Sequence, residues 1–211
     1  MDPVALTVFV PWAAGTAEIP AMAKAKQSGL GKEFSVKPTL ASVRAWLRRH
    51  VKAMVAEGMR LRAEVAKKKG MQAEFLNGSV LYFAYMAEFT GVVLKDGELF
   101  TERVPGDTHW KKRKKPQAKD CFFNAQTLCI EGDLLYYEGY YFSKLPPVQH
   151  AFNVLDGKVI DVTRDAIDKQ VGPSEGFWFG ATVSKDDLEI RLAKTDQWGP
   201  ALLPDAPVID D

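Results

Sequence analysis

The sequence predicts an α+β fold, in which an antiparallel sheet carries a packed helix and follows a basic, helix-rich N-terminal part. Three observations predict this class. Apolar residues recur at helical spacing through residues 39–69. A second helical segment, Cys121–Ile130, closes at Gly132. Short apolar stretches separated by turn signals then fill much of residues 134–183. We expect a sheet assembled from these stretches, with the second helix lying on it.

The helix predicted over Thr39–Lys69 stops before Gly70, a residue typical of helix ends. Arg44, Arg48 and Lys52 follow one another at four-residue intervals and form a basic ladder away from the apolar stripe. A solvated helix face is the common explanation of such a ladder. Contact with nucleic acid or another polyanion is the alternative.

The stretch that follows this helix is ambiguous. Val80–Phe89 fits a helix or a strand. Lys95-Asp96-Gly97-Glu98 predicts a hairpin turn, and Leu99–Val104 predicts the strand after it.

Charge is distributed unevenly along the chain, although the net charge is only +1. The residues from Asp120 onward hold 7 Lys/Arg and 16 Asp/Glu, whereas residues 1–119 hold 21 and 11. This asymmetry predicts an acidic partner for the first half, or docking of one half on the other. A basic run expected as an exposed loop contributes to it, as a linker or as a contact for nucleic acid or phosphate. The run consists of Lys111, Lys112, Arg113, Lys114 and Lys115.

The second half contains four predicted strands. Asp156-Gly157 is a type I′ turn signal and joins the two middle strands into a hairpin. Ser184 and Asp187 match a capping box that begins a final helix, which reaches about Lys194. The tail after Trp198 is rich in proline and is expected to be unstructured or draped over the fold. The predicted strands are Leu134–Phe142, Val148–Leu155, Lys158–Thr163 and Phe177–Val183.

Length and composition favour a soluble, intracellular protein. A chain of 211 residues that is 46% hydrophobic is long enough to bury a core. No apolar run approaches the roughly 20 residues that cross a bilayer, and the first residues lack the basic start of a signal peptide. We therefore expect a cytoplasmic location and no membrane partner. Cys121 and Cys129 lie about 12 Å apart if they share one helix, which is too far for a disulfide.

Cys121 is a candidate nucleophile because of its position. Asp120 is a good N-cap residue, so Cys121 is expected at the first position of the helix. There the helix dipole and the unpaired N–H groups favour a thiolate. The same N–H groups are placed to bind an oxyanion. Cys129 is expected to be a small buried hydrophobe.

His150 and Asp161 are candidate partners of this thiol. If Asp156-Gly157 is a two-residue turn, Phe152 lies opposite Asp161, and His150 and Asp161 become diagonal neighbours on one face. Diagonal positions are about 7–8 Å apart, within reach of an imidazole and a carboxylate. Because a one-residue bulge would reverse the parity, this prediction depends on a tight turn.

Three segments resemble the transglutaminase-like branch of the papain-type cysteine enzymes. They are Asp120–Ala125, His150–Val154 and Asp156–Thr163. That family carries its residues in the order cysteine, histidine, aspartate, with the cysteine at a helix start and the other two on adjacent strands. The resemblance covers roughly residues 107–183. The segments also resemble those of small, uncharacterised bacterial and phage proteins.

The resemblance implies three parts of the chain: a basic, helix-rich region at 1–106, a transglutaminase-like catalytic core at 107–197, and a tail at 198–211. It implies a catalytic triad of Cys121, His150 and Asp161 that acts on a peptide or acyl substrate through a thioester, with no cofactor and no metal. The interval of 29 residues from cysteine to histidine is compact for a transglutaminase. Hydrolysis, acyl transfer and amidation therefore all stay open.

Two further expectations accompany this reading. Gln117, four residues before the cysteine, is a candidate oxyanion partner. The alternative function is a non-catalytic nucleic-acid-binding module, which would use the basic helix and the run Lys111–Lys115. In that module Cys121, His150 and Asp161 would have only a structural role.

Overall fold

The chain forms a mixed α/β fold with five helices and one mostly antiparallel six-stranded sheet, counted over the residues that the structure describes. The first 37 residues and most of the predicted basic run, Lys111–Lys114, lie outside them. Within the described part, no helix is both long and apolar enough to cross a membrane. The computed structural model describes residues 38–106, 109–110, 115–132, 134–143, 147–173 and 175–203.

Two long helices precede the sheet: α1 (Leu40–Val65) and α2 (Met71–Asp96). Thr39 caps α1, because its hydroxyl accepts a hydrogen bond from the Ser42 amide at 3.1 Å. The helix predicted over residues 39–69 is therefore confirmed, although it ends four residues earlier. α1 and α2 pack on each other and on the sheet through a large apolar cluster. Its buried members include Val43, Trp46, Leu47, Phe89, Val93, Tyr140, Phe142 and Phe179.

The end of α2 corrects one prediction. The hairpin turn expected at Lys95-Asp96-Gly97-Glu98 is wrong, because the first two of these residues complete α2 and Gly97 follows as its C-cap. The Gly97 amide donates a hydrogen bond to the Val93 carbonyl at 2.9 Å. Apolar residues of α2 are buried against α1 and the sheet, and this packing outweighs the local turn signal. The segment Val80–Phe89, which fits either structure by sequence, is helical.

The sheet has the strand order β1-β6-β3-β4-β5-β2. All neighbouring strands are antiparallel except β2 and β5, which run parallel. The predicted strands beginning at residues 134, 148 and 177 are confirmed within one residue at each end. The strands are β1 (Glu98–Phe100), β2 (Arg103–Val104), β3 (Leu135–Phe142), β4 (Val148–Leu155), β5 (Lys158–Ile160) and β6 (Phe177–Val183).

The sheet curls until its two edges approach each other. The expected single strand Leu99–Val104 is instead divided into β1 and β2, which lie at opposite edges of the sheet. Only Thr101 and Glu102 separate these strands, so the edges must be close in space. One buried cluster contains side chains from both halves of the sheet and fills the inside of the curl. Its members are Phe100, Tyr137, Tyr141, Phe152, Val154, Val159 and Trp178.

The β4–β5 hairpin has the predicted register. Asn153 pairs with Ile160 and Leu155 with Lys158. The turn residues have left-handed backbones, with φ of 51° at Asp156 and 74° at Gly157, as a type I′ turn requires. The register expected from the sequence is therefore confirmed.

The strand predicted to reach Thr163 is wrong at its end, since β5 stops at Ile160 and helix α4 (Val162–Val171) begins two residues later. Asp161 is the N-cap of this helix, and its carboxylate accepts a hydrogen bond from the Arg164 amide at 2.9 Å. The β-branched pair after Asp161 resembles a strand by composition. The N-cap hydrogen bond from a residue three positions away favours a helix instead.

Two more helices pack on the outer surface of the sheet. α3 (Cys121–Glu131) matches the predicted helix, and its residues Ala125 and Cys129 are buried with side chains of β3 and β4. α5 (Lys185–Thr195) begins after Ser184, whose hydroxyl accepts a hydrogen bond from the Asp187 amide at 3.1 Å. Both predicted helices are confirmed.

The described part of the expected tail, residues 198–203, is draped over the fold, and residues 204–211 lie outside the described residues. It is held through its backbone: Gln126 donates to the Gly199 carbonyl at 2.6 Å. The amides of Ala201 and Leu202 donate to the carboxylate of Glu138, at 2.5 and 3.1 Å. Glu138 is fully buried. The segment is therefore part of the packed fold.

Candidate active site

Cys121 is the first residue of α3 and is partly exposed. Asp120 occupies the N-cap position, and its carbonyl accepts the first helical hydrogen bond, from the Asn124 amide at 2.9 Å. The Asp120 side chain makes no capping hydrogen bond, so the predicted cap position is present without the predicted cap contact. The Asp120 carboxylate therefore does not cap the first-turn amides of α3, and the positive end of the helix dipole faces the thiol.

Buried amide side chains hold the start of α3 in place. Asn124 donates to the Thr163 hydroxyl at 2.8 Å and to the Gln117 carbonyl at 2.7 Å. Asn153 of β4 donates to the Ala125 carbonyl at 2.9 Å. These contacts join the start of α3, which carries the candidate nucleophile, to α4 and β4, near which the other two candidate residues lie.

His150 lies on β4 opposite Gly139 of β3 and is only 5% exposed. On its other side, the register of the hairpin would place residue 163 opposite His150, but β5 has already ended at Ile160. Because β5 ends early, none of the described strands pairs with the edge of β4 beside His150. Asp161, which directly follows β5, turns its carboxylate to the imidazole there.

The imidazole and the carboxylate are directly hydrogen bonded. His150 Nε2 lies 2.7 Å from Asp161 Oδ2, and Asp161 is 2% exposed. The same oxygen accepts from the indole N–H of Trp178 at 2.8 Å, while Oδ1 accepts from the Arg164 amide. Three donors thus hold the buried carboxylate.

The electrostatics of this pair favour its charged form. Burial lowers the pKa of His150, but the charge and hydrogen bond of Asp161, followed by the interaction with Cys121, outweigh burial and raise the pKa to about 10. Burial raises the pKa of Asp161, but His150 and the hydrogen-bond donors outweigh it, so the pKa lies below its usual value. Cys121 is among the groups that raise the pKa of His150, so the thiol lies near the ring. Because Nε2 is engaged by Asp161, the nitrogen left for the thiol is Nδ1.

The structure brings Cys121, His150 and Asp161 together at one place. Gln117 lies close to the start of α3, but it is exposed, and the contact described above uses its backbone carbonyl. Its proposed part in binding an oxyanion stays a prediction. Cys129 is buried, and burial raises the pKa of its thiol.

The basic candidates differ in their exposure. Arg48 and Lys52 are exposed on α1, while Arg44 is partly buried. Lys115 is exposed as well. The other members of the basic run, Lys111, Lys112, Arg113 and Lys114, lie outside the described residues.

Two side chains of the site were not singled out from the sequence: Trp178 and Asn124. Trp178 carries a recognisable signal, because a buried indole N–H needs an acceptor and the residue lies in an almost wholly apolar strand. Asn124 sits one turn after the candidate nucleophile, where a buried amide must also find partners. The identity of those partners depends on the curl of the sheet, which no local pattern reveals.

Comparison of the chain with protein-family models, with curated proteins and with solved structures found no match. The transglutaminase-like resemblance therefore stays an expectation that rests on three short segments. Among the residues that the structure describes, no group of three or more His, Cys, Asp and Glu side chains is placed to hold a metal ion.

Proposed function

We propose that this protein is a cysteine-dependent acyl-transfer enzyme that works through a thioester on Cys121. One observation carries the proposal: a thiol at a helix start adjoins an imidazole whose far nitrogen is bound to a buried carboxylate. A thiol nucleophile needs a base and a group that orients the base. A structural role alone does not require a partly exposed cysteine at the end of this chain of contacts.

The proposed reaction has two stages. The Cys121 thiolate attacks the acyl carbon of an ester or amide, and the S–C bond forms while the bond to the leaving group breaks. His150 gives its Nδ1 proton to the departing oxygen or nitrogen, so that no net charge is left on the product. Water or an amine then attacks the thioester, His150 takes a proton from it, and the thiol leaves as thiolate.

Asp161 keeps the imidazole oriented through both stages. Its carboxylate holds the Nε2 proton, so Nδ1 is the nitrogen that exchanges protons with thiol, leaving group and acceptor. The amide N–H groups in the first turn of α3 point toward the start of the helix, where an acyl oxygen bound to Cys121 would gain negative charge.

Labelling with an acyl probe tests the proposal. The protein is incubated with an activated ester or acyl phosphate that reports acyl transfer, and intact mass and peptide mapping locate the adduct. We expect a single hydroxylamine-sensitive thioester on Cys121. Cys121→Ala and His150→Ala should abolish its formation without unfolding the protein, whereas Cys129→Ala is the matched control and should label normally.

Two outcomes would contradict acyl transfer. Labelling that persists in Cys121→Ala would place the chemistry elsewhere. Full labelling of Cys121 in His150→Ala would show that the imidazole does not activate the thiol. The labelling would then reflect only the exposure of Cys121 to solvent.

The exposed basic residues of α1 favour a second candidate, a module that binds nucleic acid through Arg48 and Lys52. Its affinity should fall steeply with salt, because each phosphate contact releases counterions. The double variant Arg48→Gln with Lys52→Gln should flatten that dependence, and Lys95→Gln, on an exposed position of α2, is the control. Absence of binding at low salt would contradict this candidate and would leave the acyl-transfer proposal untouched.

A further inference from the structure

The indole N–H of Trp178 donates a hydrogen bond to Asp161, a contact that the proposed reaction does not by itself require. We infer that Trp178 is a positioning residue: its N–H fixes the Asp161 carboxylate in the orientation that receives His150 Nε2 and leaves Nδ1 for Cys121. The link to turnover rests on the proposed function, but the effect on His150 and Asp161 does not.

The geometry carries this inference. Trp178 Nε1 and His150 Nε2 approach the same oxygen of Asp161, at 2.8 and 2.7 Å. The other oxygen receives the Arg164 amide at 2.9 Å. An indole N–H and a backbone N–H can only donate, so both oxygens already act as acceptors. A carboxylate that accepts at both oxygens is best ionised, and the shared proton then belongs on Nε2.

The tautomer of the imidazole follows from this arrangement. A neutral ring that carries its proton on Nε2 has its lone pair on Nδ1, which is the nitrogen left for the thiol. Without the indole, only the mobile imidazole of His150 and the amide of Arg164 would oppose rotation of the carboxylate about its terminal bond. Trp178 therefore helps to decide which nitrogen of His150 is the base.

The indole is itself held firmly. Trp178 is 3% exposed and lies on β6, where it pairs with Tyr141 of β3 and with Phe100 of β1. Its ring lies 5.2 Å from the ring of Tyr141, which in turn lies 6.1 Å from the imidazole of His150. The indole cannot turn away from Asp161 without disturbing the interior of the curled sheet.

The charged groups around the pair come from neighbouring elements. Arg103 of β2 lies 5.9 Å from the centre of the Trp178 ring, and its charge interacts with Asp161. Arg164 of α4 lies 5.0 Å from the centre of the Tyr141 ring. Both guanidinium groups are bound to Asp168. Among the described residues, Cys121 of α3 and the Tyr141 ring of β3 also face the imidazole.

Trp178→Phe is the test, because it keeps a buried aromatic ring and removes the N–H. The first measurement is the rate at which iodoacetamide alkylates Cys121 as a function of pH, followed by mass spectrometry. Loss of the indole donor should raise the pKa of Asp161. As the pH is lowered, the contact between Asp161 and His150 should therefore break at a higher pH in the variant than in the wild type. The free energy of one hydrogen bond to a charged group corresponds to a shift of roughly one pH unit. We expect the low-pH fall in the alkylation rate, the acid limb of the profile, to move up by about this amount.

The second measurement is the ¹⁵N NMR spectrum of the His150 ring, which distinguishes the two tautomers. Because the pKa of His150 is raised to about 10, we expect both ring nitrogens of the wild-type protein to be protonated below that pH, and the proton that remains above it to lie on Nε2. Trp178→Phe should show a mixture of tautomers in the neutral ring, or a titration at a different pH. Trp46→Phe is the matched control: it makes the same chemical change at a buried tryptophan that packs on His50 and the α1–α2 cluster. This control should leave both the alkylation profile and the His150 spectrum unchanged.

An alkylation profile and a His150 spectrum that are the same in Trp178→Phe and in the wild type would overturn the inference. If the variant does not fold, the wild-type indole N–H resonance of Trp178 decides. It should titrate together with the acid limb, and an unresponsive resonance would refute the proposed contact. If His150 depends on Trp178 while the wild type takes no acyl probe, the positioning role stands and acyl transfer fails.

Discussion

Asp161 both caps α4 and binds His150, and these two roles can be separated by substitution. In Asp161→Asn one amide oxygen still accepts from the Arg164 amide, so the cap is retained. The amide nitrogen then faces the donors of His150 and Trp178, where a donor meets donors. The variant therefore loses the charge of a buried pair and leaves an indole N–H unsatisfied.

The expected cost follows from these contacts. Removing one partner of a buried ion pair destabilises a protein by about 3–5 kcal/mol, and we expect Asp161→Asn to fall in this range because Asp161 and His150 are almost fully buried. Asp161→Ala additionally loses the cap, which costs about 1 kcal/mol more. Thr39→Ala removes an exposed cap from α1 whose hydroxyl accepts from the Ser42 amide rather than from a charged group, and it measures the cap contribution alone.

Urea unfolding at several pH values is the assay. Asp161 has a lowered pKa, so its contribution to the free energy of unfolding is present above its unfolded pKa near 3.8 and is lost as the pH falls through the folded value. His150 has a raised pKa, so its contribution is fully present below 6.5 and is lost as the pH rises through about 10. The difference between wild type and Asp161→Asn should therefore be largest between about pH 4 and 6.5.

The result that refutes this reasoning is specific. If Asp161→Asn is as stable as the wild type at pH 5, no buried charge pair is present. If the difference in stability does not change between pH 5 and pH 10, the pair is not ionised in the folded protein. For acyl transfer, Asp161→Asn should retain more activity than Cys121→Ala or His150→Ala, because Asp161 orients the base and does not itself react.

Three further outcomes are expected. Iodoacetamide should alkylate Cys121 faster and at lower pH than Cys129, whose thiol is buried; equal rates in the folded protein would contradict the proposed activation. Glu138→Ala should lower the free energy of unfolding by about 2–4 kcal/mol, because it removes the acceptor of the buried Ala201 amide and of the partly buried Leu202 amide; Glu138→Gln, which keeps one acceptor, should cost less in urea unfolding. Gly97→Ala should cost about 1–3 kcal/mol, since a Cβ there would collide with the Val93 carbonyl and with the Phe179 ring at 2.7 Å; wild-type stability would show that α2 can shift.

The sequence predicted those features that depend on local signals. The Asp156-Gly157 turn determines the register of β4 and β5, because a two-residue turn leaves only one pairing. The same parity placed His150 and Asp161 on one face. Ser184 predicted the start of α5 for a similar reason, since a capping hydroxyl acts over three residues.

Features that depend on distant contacts were not predicted. The residues Lys95 and Gly97 resemble a turn, and only the burial of α2 against the sheet makes them a helix end. The division of Leu99–Val104 into strands at opposite edges results from the curl of the sheet. The curl depends on how all six strands pair, so it cannot be predicted from a short stretch of the sequence.

The change from strand to helix after Ile160 links the fold to the proposed chemistry. If β5 had continued to Thr163, it would have covered the edge of β4 beside His150. Because the chain turns at Asp161 instead, no described strand covers that edge. The turn also brings the carboxylate to the imidazole and the Thr163 hydroxyl to Asn124 of α3. The N-cap at Asp161, where the strand prediction was wrong, therefore positions Asp161 and His150 and helps to hold the helix that carries Cys121.

A variant that moves the start of α4 should change the reactivity of Cys121 although it replaces none of Cys121, His150 and Asp161. Thr163→Val loses the hydrogen bond to Asn124 and keeps the side-chain shape. It should slow alkylation of Cys121 while leaving the His150–Asp161 contact in the NMR spectrum unchanged.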